Sequence, residues 1–126
     1  MHVRILAMAA TAALIGATAA HAAGDAGKGK ATFNMQCTLC HSAKPNQEGT
    51  APSLFGVVGR KAASDPKFPA YTKALKASGL TWTEDKIEAF LSGPSKLVPG
   101  TAMPITLPKA QDREDVVAYL ATLKPH

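Results

Sequence analysis

The sequence predicts an all-α fold of short helices and long loops. No segment shows the sustained apolar–polar alternation of a strand, while apolar residues at helical spacing gather toward the two ends of the chain. Between them lie irregular stretches rich in Lys, Pro, Gly, Ser and Asn, unusually long for a compact domain.

The first 22 residues stand apart. Met1-His2-Val3-Arg4 is a short basic start, Ile5 to Ala20 is almost unbroken apolar sequence, and Ala20-His21-Ala22 has the small-x-small pattern of a cleavage site. Residues 1–22 therefore read as an export signal cut before Ala23, since the apolar run is short for a membrane span of about 20 residues. The expected domain is 23–126, located in the periplasm or an equivalent compartment. Its first helix lies between Gly24 and Cys40, with Asp25 as N-cap and Ala26, Gly29 or Lys30, Phe33 and Cys37 at near-helical intervals.

Ser42 to Pro69 is expected to be loop, anchored only by Leu54-Phe55 and Val57-Val58. A short helix follows from Pro69 to Ser78, closed by Gly79. Thr81 or Thr83 caps the next, whose Ile87, Phe90 and Leu91 share a face before Gly93-Pro94 stops it. Pro99 to Pro108 holds three prolines and is again irregular. Lys109 to Leu123 is the last helix, with Val116, Val117, Tyr119, Leu120 and Leu123 turned inward.

Composition narrows the function. The chain is 46% hydrophobic but only 6% aromatic, so a core of its own side chains lacks the large rings that supply much of the burial in small domains. An apolar cofactor would fill that gap. Loss of the leader removes one of 14 basic residues, Arg4, and none of the 9 acidic ones, so the net charge falls from +5 to +4. Such a mild surplus, with no interleaving of basic and aromatic residues, argues against nucleic acid and allows a slight bias toward acidic protein partners.

Cys37-Thr38-Leu39-Cys40-His41 is the strongest signal. Two thiols three residues apart at a helix end can each add to a vinyl group of one haem, and the following histidine then sits under the iron. A structural zinc site needs four ligands, and only Cys37, Cys40, His41 and His126 remain to supply them. A thioredoxin-like pair needs a βαβ setting, and a plain disulfide leaves His41 and the loops unexplained. The second axial ligand must come from elsewhere in the chain. Met1 and Met8 leave with the leader and Met35 precedes Cys37 on the wrong side, so Met103, framed by Pro99 and Pro104, is the candidate; the alternative is a methionine filling a core gap.

These motifs together resemble the class I cytochromes c, the short bacterial and mitochondrial monohaem type, with cytochrome c2 as a near likeness. Gly29 and Phe33 match the family's first helix, which crosses Tyr119-Leu120 on its last, and Cys37-x-x-Cys40-His41 is followed by Pro52-Ser53-Leu54 and Gly59-Arg60-Lys61. The resemblance implies that the Pro52 carbonyl accepts the second ring N–H of His41. It further implies that Tyr71 and Trp82, helped by Arg60, donate to a buried haem propionate.

Two departures accompany it. Phe90 stands where the family often has a tyrosine near the methionine sulfur. Gln36, Gly49 and Ala102 stand where relatives serving mitochondrial oxidase carry lysines, leaving Lys96 and Lys109. The function implied is a monomeric one-electron carrier, not an enzyme, moving electrons between a quinol-oxidising complex and an oxidase, reductase or photosynthetic centre of a respiratory or photosynthetic chain. The alternatives are the electron-accepting subunit of a periplasmic dehydrogenase, and a haem sensor or small peroxidase with Met103 displaced.

Overall fold

The computed structural model describes Thr11 and residues 24–126, so the leader read at residues 1–22 lies, but for Thr11, outside the described residues. Five helices follow one another: α1 (Ala26–Gln36), α2 (Lys73–Ala77), α3 (Glu84–Ser92), α4 (Pro94–Leu97) and α5 (Ala110–Ala121). The described residues include one isolated antiparallel bridge, Lys61 with Thr81, and no strand.

The first and last helices cross, and the crossing is set by a side chain that is absent. Gly29 lies so close to α5 that a Cβ there would run into the backbone carbonyl of Asp115. Any larger residue would push the helices apart. One turn on, fully buried Phe33 packs on Tyr119 with ring centroids 5.3 Å apart. Asp25 caps α1 by accepting the Lys28 N–H at 3.0 Å, and its own N–H donates to the Asp115 carboxylate at 2.8 Å. Asp115 also accepts from the Gln111 amide at 2.9 Å, so one buried carboxylate satisfies an orphan donor at the entrance to α1 and fixes it to α5.

α2 is shorter than the expected Pro69–Ser78. The Thr72 hydroxyl accepts the Leu75 N–H while Thr72 itself is extended (ψ 153°), so the helix cannot begin before Lys73. Ala70 and Tyr71 are thereby left outside the helix. Gly79 closes the segment at φ 65°, as expected. Of the two threonines before α3, Thr83 is the cap, accepting from Lys86 N–H. Gly93-Pro94 ends α3 but does not end helical structure: Pro94 occupies the first turn of α4, where its missing N–H costs nothing.

The irregular 99–108 segment is held at its end. Leu107 N–H donates to Leu91 O at 2.8 Å, and the Arg113 guanidinium donates to the carbonyls of Leu107 and Pro108 while pairing with Glu88. Contacts from α3 and α5 converge there.

The hydrogen bonds on Asp115 hold its carboxyl below the usual carboxylate range, chiefly through the Asp25 N–H and then the Gln111 amide. A depressed folded-state pKa means that this contribution to stability is complete above about pH 4 and is lost as pH falls through the folded value. Asp115→Asn should therefore unfold at lower urea concentration than the wild type at pH 6, with the gap between the two closing on acidification. Urea midpoints of both proteins from pH 6 to pH 2.5 check it.

Candidate functional site

At the end of α1 the chain tightens into a turn in which the N–H groups of Cys40 and His41 both donate to Cys37 O, at 3.1 and 2.9 Å. That turn presents two sulfurs and an imidazole from five consecutive residues. Both cysteines are free thiols, Cys37 half-buried and Cys40 exposed. Burial, with the neighbouring Cys40 adding to it, pushes the Cys37 thiol up to about 11. A nucleophilic or metal-binding thiolate calls for the opposite shift.

His41 Nδ1 lies 2.7 Å from the Pro52 carbonyl oxygen. A carbonyl can only accept, so Nδ1 carries the proton and Nε2 keeps its lone pair. Burial lowers the His41 pKa, the Pro52 bond opposes that, and the Arg60 charge adds to the lowering. The ring is thus a neutral, oriented nitrogen donor.

Cys37, Cys40, His41, Pro52, Arg60, Tyr71, Trp82 and Met103 all line one cavity of about 370 Å³. They arrive from separate segments: the α1 turn, the 42–69 loop, the extended approach to α2, the residue before the α3 cap, and the proline-framed 99–108 segment. The remaining walls are mostly apolar and are largely the protein's core itself. Eight of the nine residues of the buried hydrophobic cluster, Val117 excepted, face this space.

The lining fits a haem. Its one charged side chain is Arg60, half-buried, whose guanidinium donates to Ser53 O at 3.0 Å and Phe55 O at 3.2 Å and has no carboxylate partner among the described residues. A cofactor carboxylate would supply the missing counter-charge. The Tyr71 hydroxyl accepts the Asp65 N–H at 3.2 Å and so keeps its own proton to donate; burial pushes that phenol up, which preserves the proton. The Trp82 indole N–H has no protein acceptor among the described residues, and the residue lines the same space.

The cytochrome c family model matches residues 26–124. The chain belongs to the cytochrome c family. It is 46% identical over 113 residues to cytochrome c2 of Rhodomicrobium vannielii, covering 88% of this chain and 89% of that protein. It is also 46% identical over 101 residues to cytochrome c of Tetrahymena pyriformis, covering 79% and 90%. Among solved structures, cytochrome cH from Methylobacterium extorquens superposes with a TM-score of 0.72 at 39% identity, covering 79% of this chain and 99% of that one. This cytochrome c carries a covalent c-type haem with its iron and is an electron carrier, not an enzyme.

Other residues join the site that sequence reasoning did not single out. Thr101 lines the cavity and its Oγ1 accepts the Met103 N–H at 3.3 Å, an i to i+2 turn that a threonine two residues before the methionine could have signalled. Phe68, in the loop, packs edge-on against Tyr71 with centroids 4.9 Å apart. Phe90, which the sequence did single out, faces the cavity and stacks at a tilt on Trp82, 5.0 Å away. Of the docking positions, Gln36 and Ala102 line the cavity, while Lys96 and Lys109 are exposed and do not.

Because the cavity walls are the core, loss of covalent attachment should be felt as loss of fold. Cys37→Ala and Cys40→Ala should each lower the covalent haem content, and the double variant should leave a largely unfolded chain. Denaturing mass spectrometry and far-UV circular dichroism measure the two effects; a haem-free chain with native helicity would contradict the argument.

Proposed function

We propose that Cys37 and Cys40 hold the haem by thioethers, that His41 Nε2 and the Met103 sulfur fill the two axial positions, and that Tyr71, Trp82 and Arg60 receive a propionate. The observation that carries this is the convergence of all eight residues on one largely apolar cavity with a single cation. The bound iron supplies a one-electron couple. With two side chains on the iron no position stays open for substrate, and a thioether ligand raises the potential. His41 is fixed through Pro52, Met103 is fixed through Thr101 and the Leu107–Leu91 bond, and the walls exclude water.

The protein then works as a monomeric carrier outside the cytoplasm, its leader, residues 1–22, removed on export. Among the described residues no helix is long and apolar enough to cross a membrane. Partners are redox proteins: a quinol-oxidising complex on one side, an oxidase, reductase or photosynthetic centre on the other. They meet the mouth of the cavity beside the exposed Cys40. The exposed large apolar side chains among the described residues, Met35, Leu39 and Ile105, belong to the segments that frame this mouth, and Lys96 and Lys109 are the cations read as flanking it.

Two experiments test this reading. Met103→Ala should keep the haem covalently attached, lower the reduction potential and speed carbon monoxide or cyanide binding; unchanged potential and ligand kinetics would make Met103 a core residue. For docking, Lys96→Glu should slow second-order electron transfer to a partner more than Lys124→Glu, and the wild-type rate should fall with ionic strength on a shallow slope. Equal effects at the two lysines would place the docking face elsewhere.

A further inference from the structure

Six described residues hold a positive φ: Gly56, Gly59, Gly79, Gly100, Asn46 and Ala63. Of these six, Ala63 alone lines the cavity. Glycine accepts this conformation freely and asparagine tolerates it through its short polar side chain. Alanine does neither. For a residue with a Cβ the left-handed region is a small, unfavourable well, and Ala63 sits in it at φ 58°.

The flanking bonds show what the kink connects. Ala62 N–H donates to Leu80 O at 2.8 Å, beside the Lys61–Thr81 bridge, and Asp65 N–H donates to the Tyr71 hydroxyl at 3.2 Å. Three residues earlier stands Arg60. The bend at Ala63 thus joins the segment that carries the cavity's cation to the residue that fixes its phenol.

We propose that Ala63 is a positioning residue for the haem: its narrow left-handed well stiffens the wall between Arg60 and Tyr71, keeps water from that edge of the ring, and so holds the reduction potential up. The proposal rests on the carrier reading above. Glycine would keep the bend and relieve the strain, but over a much broader basin of backbone angles. Exclusion of water is one of the levers by which a protein sets a haem potential.

The experiment compares the holoprotein with Ala63→Gly and with Asn46→Gly, the latter an exposed left-handed residue that does not line the haem cavity. Midpoint potential, denaturant midpoint and amide exchange are measured for each. Ala63→Gly should show faster exchange confined to residues 62–65 and a lower potential, with global stability unchanged or raised; Asn46→Gly should keep the wild-type potential. A wild-type potential in Ala63→Gly, whatever its stability, overturns the proposal. So does an equal fall in Asn46→Gly, or a fall accompanied by faster exchange throughout the chain. A wild-type holoprotein without a reversible one-electron couple overturns the carrier reading itself, and is seen before any variant is compared.

Discussion

Everything in this fold answers to the fact that its hydrophobic core is a shell. The buried side chains of α1, α3 and α5 turn toward one another at the helix crossing and toward a common space of about 370 Å³ elsewhere. A largely apolar group with an anionic edge completes such a core without leaving Arg60 uncompensated. The crossing of α1 and α5 does not depend on the cofactor in the same way. Gly29, Phe33, Tyr119 and the Asp115 carboxylate make contacts of their own, so this pair is the part of the molecule with the strongest claim to local stability.

That division explains what the sequence disclosed. Asp25, Thr83 and Gly79 act through hydrogen bonds and φ values that are local in the chain; Asp25 and Gly79 were readable from their neighbours, and the α3 cap was narrowed to Thr81 or Thr83. The attachment motif was readable because covalent chemistry fixes its spacing, and the ligand candidates by elimination and resemblance. The start of α2 and the existence of α4 were not, for a physical reason. Residues such as Leu54, Val57, Ala70 and Tyr71 are apolar or aromatic because they face the cavity, not because they lie on a helix face, so their spacing carries no helical period. Pro69 and Pro94 compound this, since a proline is compatible with both a stop and a first helical turn. A left-handed alanine leaves no trace in the sequence at all.

The electrostatics of the site run in one direction. Burial raises the Cys37 thiol, lowers His41 and raises the Tyr71 phenol, so all three groups are neutral at neutral pH. Each is neutral in the form its proposed role requires: a thiol before attachment, an imidazole with a free lone pair, a phenol with a proton to give. Arg60 alone stays charged, and its carbonyl partners at Ser53 and Phe55 fix its position without cancelling its charge. A low-dielectric site with one fixed cation favours one anionic ligand group and penalises a second.

In the function proposed above, potential and docking fall to mostly separate residues. Arg60, Ala63, Tyr71, Trp82 and Met103 line the interior and would act on the iron's surroundings, whereas Lys96, Lys109, Met35 and Leu39 lie outside and would act on encounter. With few cations near the mouth, long-range steering is weak, and more of the association free energy has to come from desolvating apolar side chains at contact. Gln36, Ala102 and Ile105 belong to both sets, because they border the cavity and remain exposed. A substitution at these three positions changes the haem's solvent exposure and the partner's landing surface together, so selection on docking at this rim necessarily pulls on the potential as well.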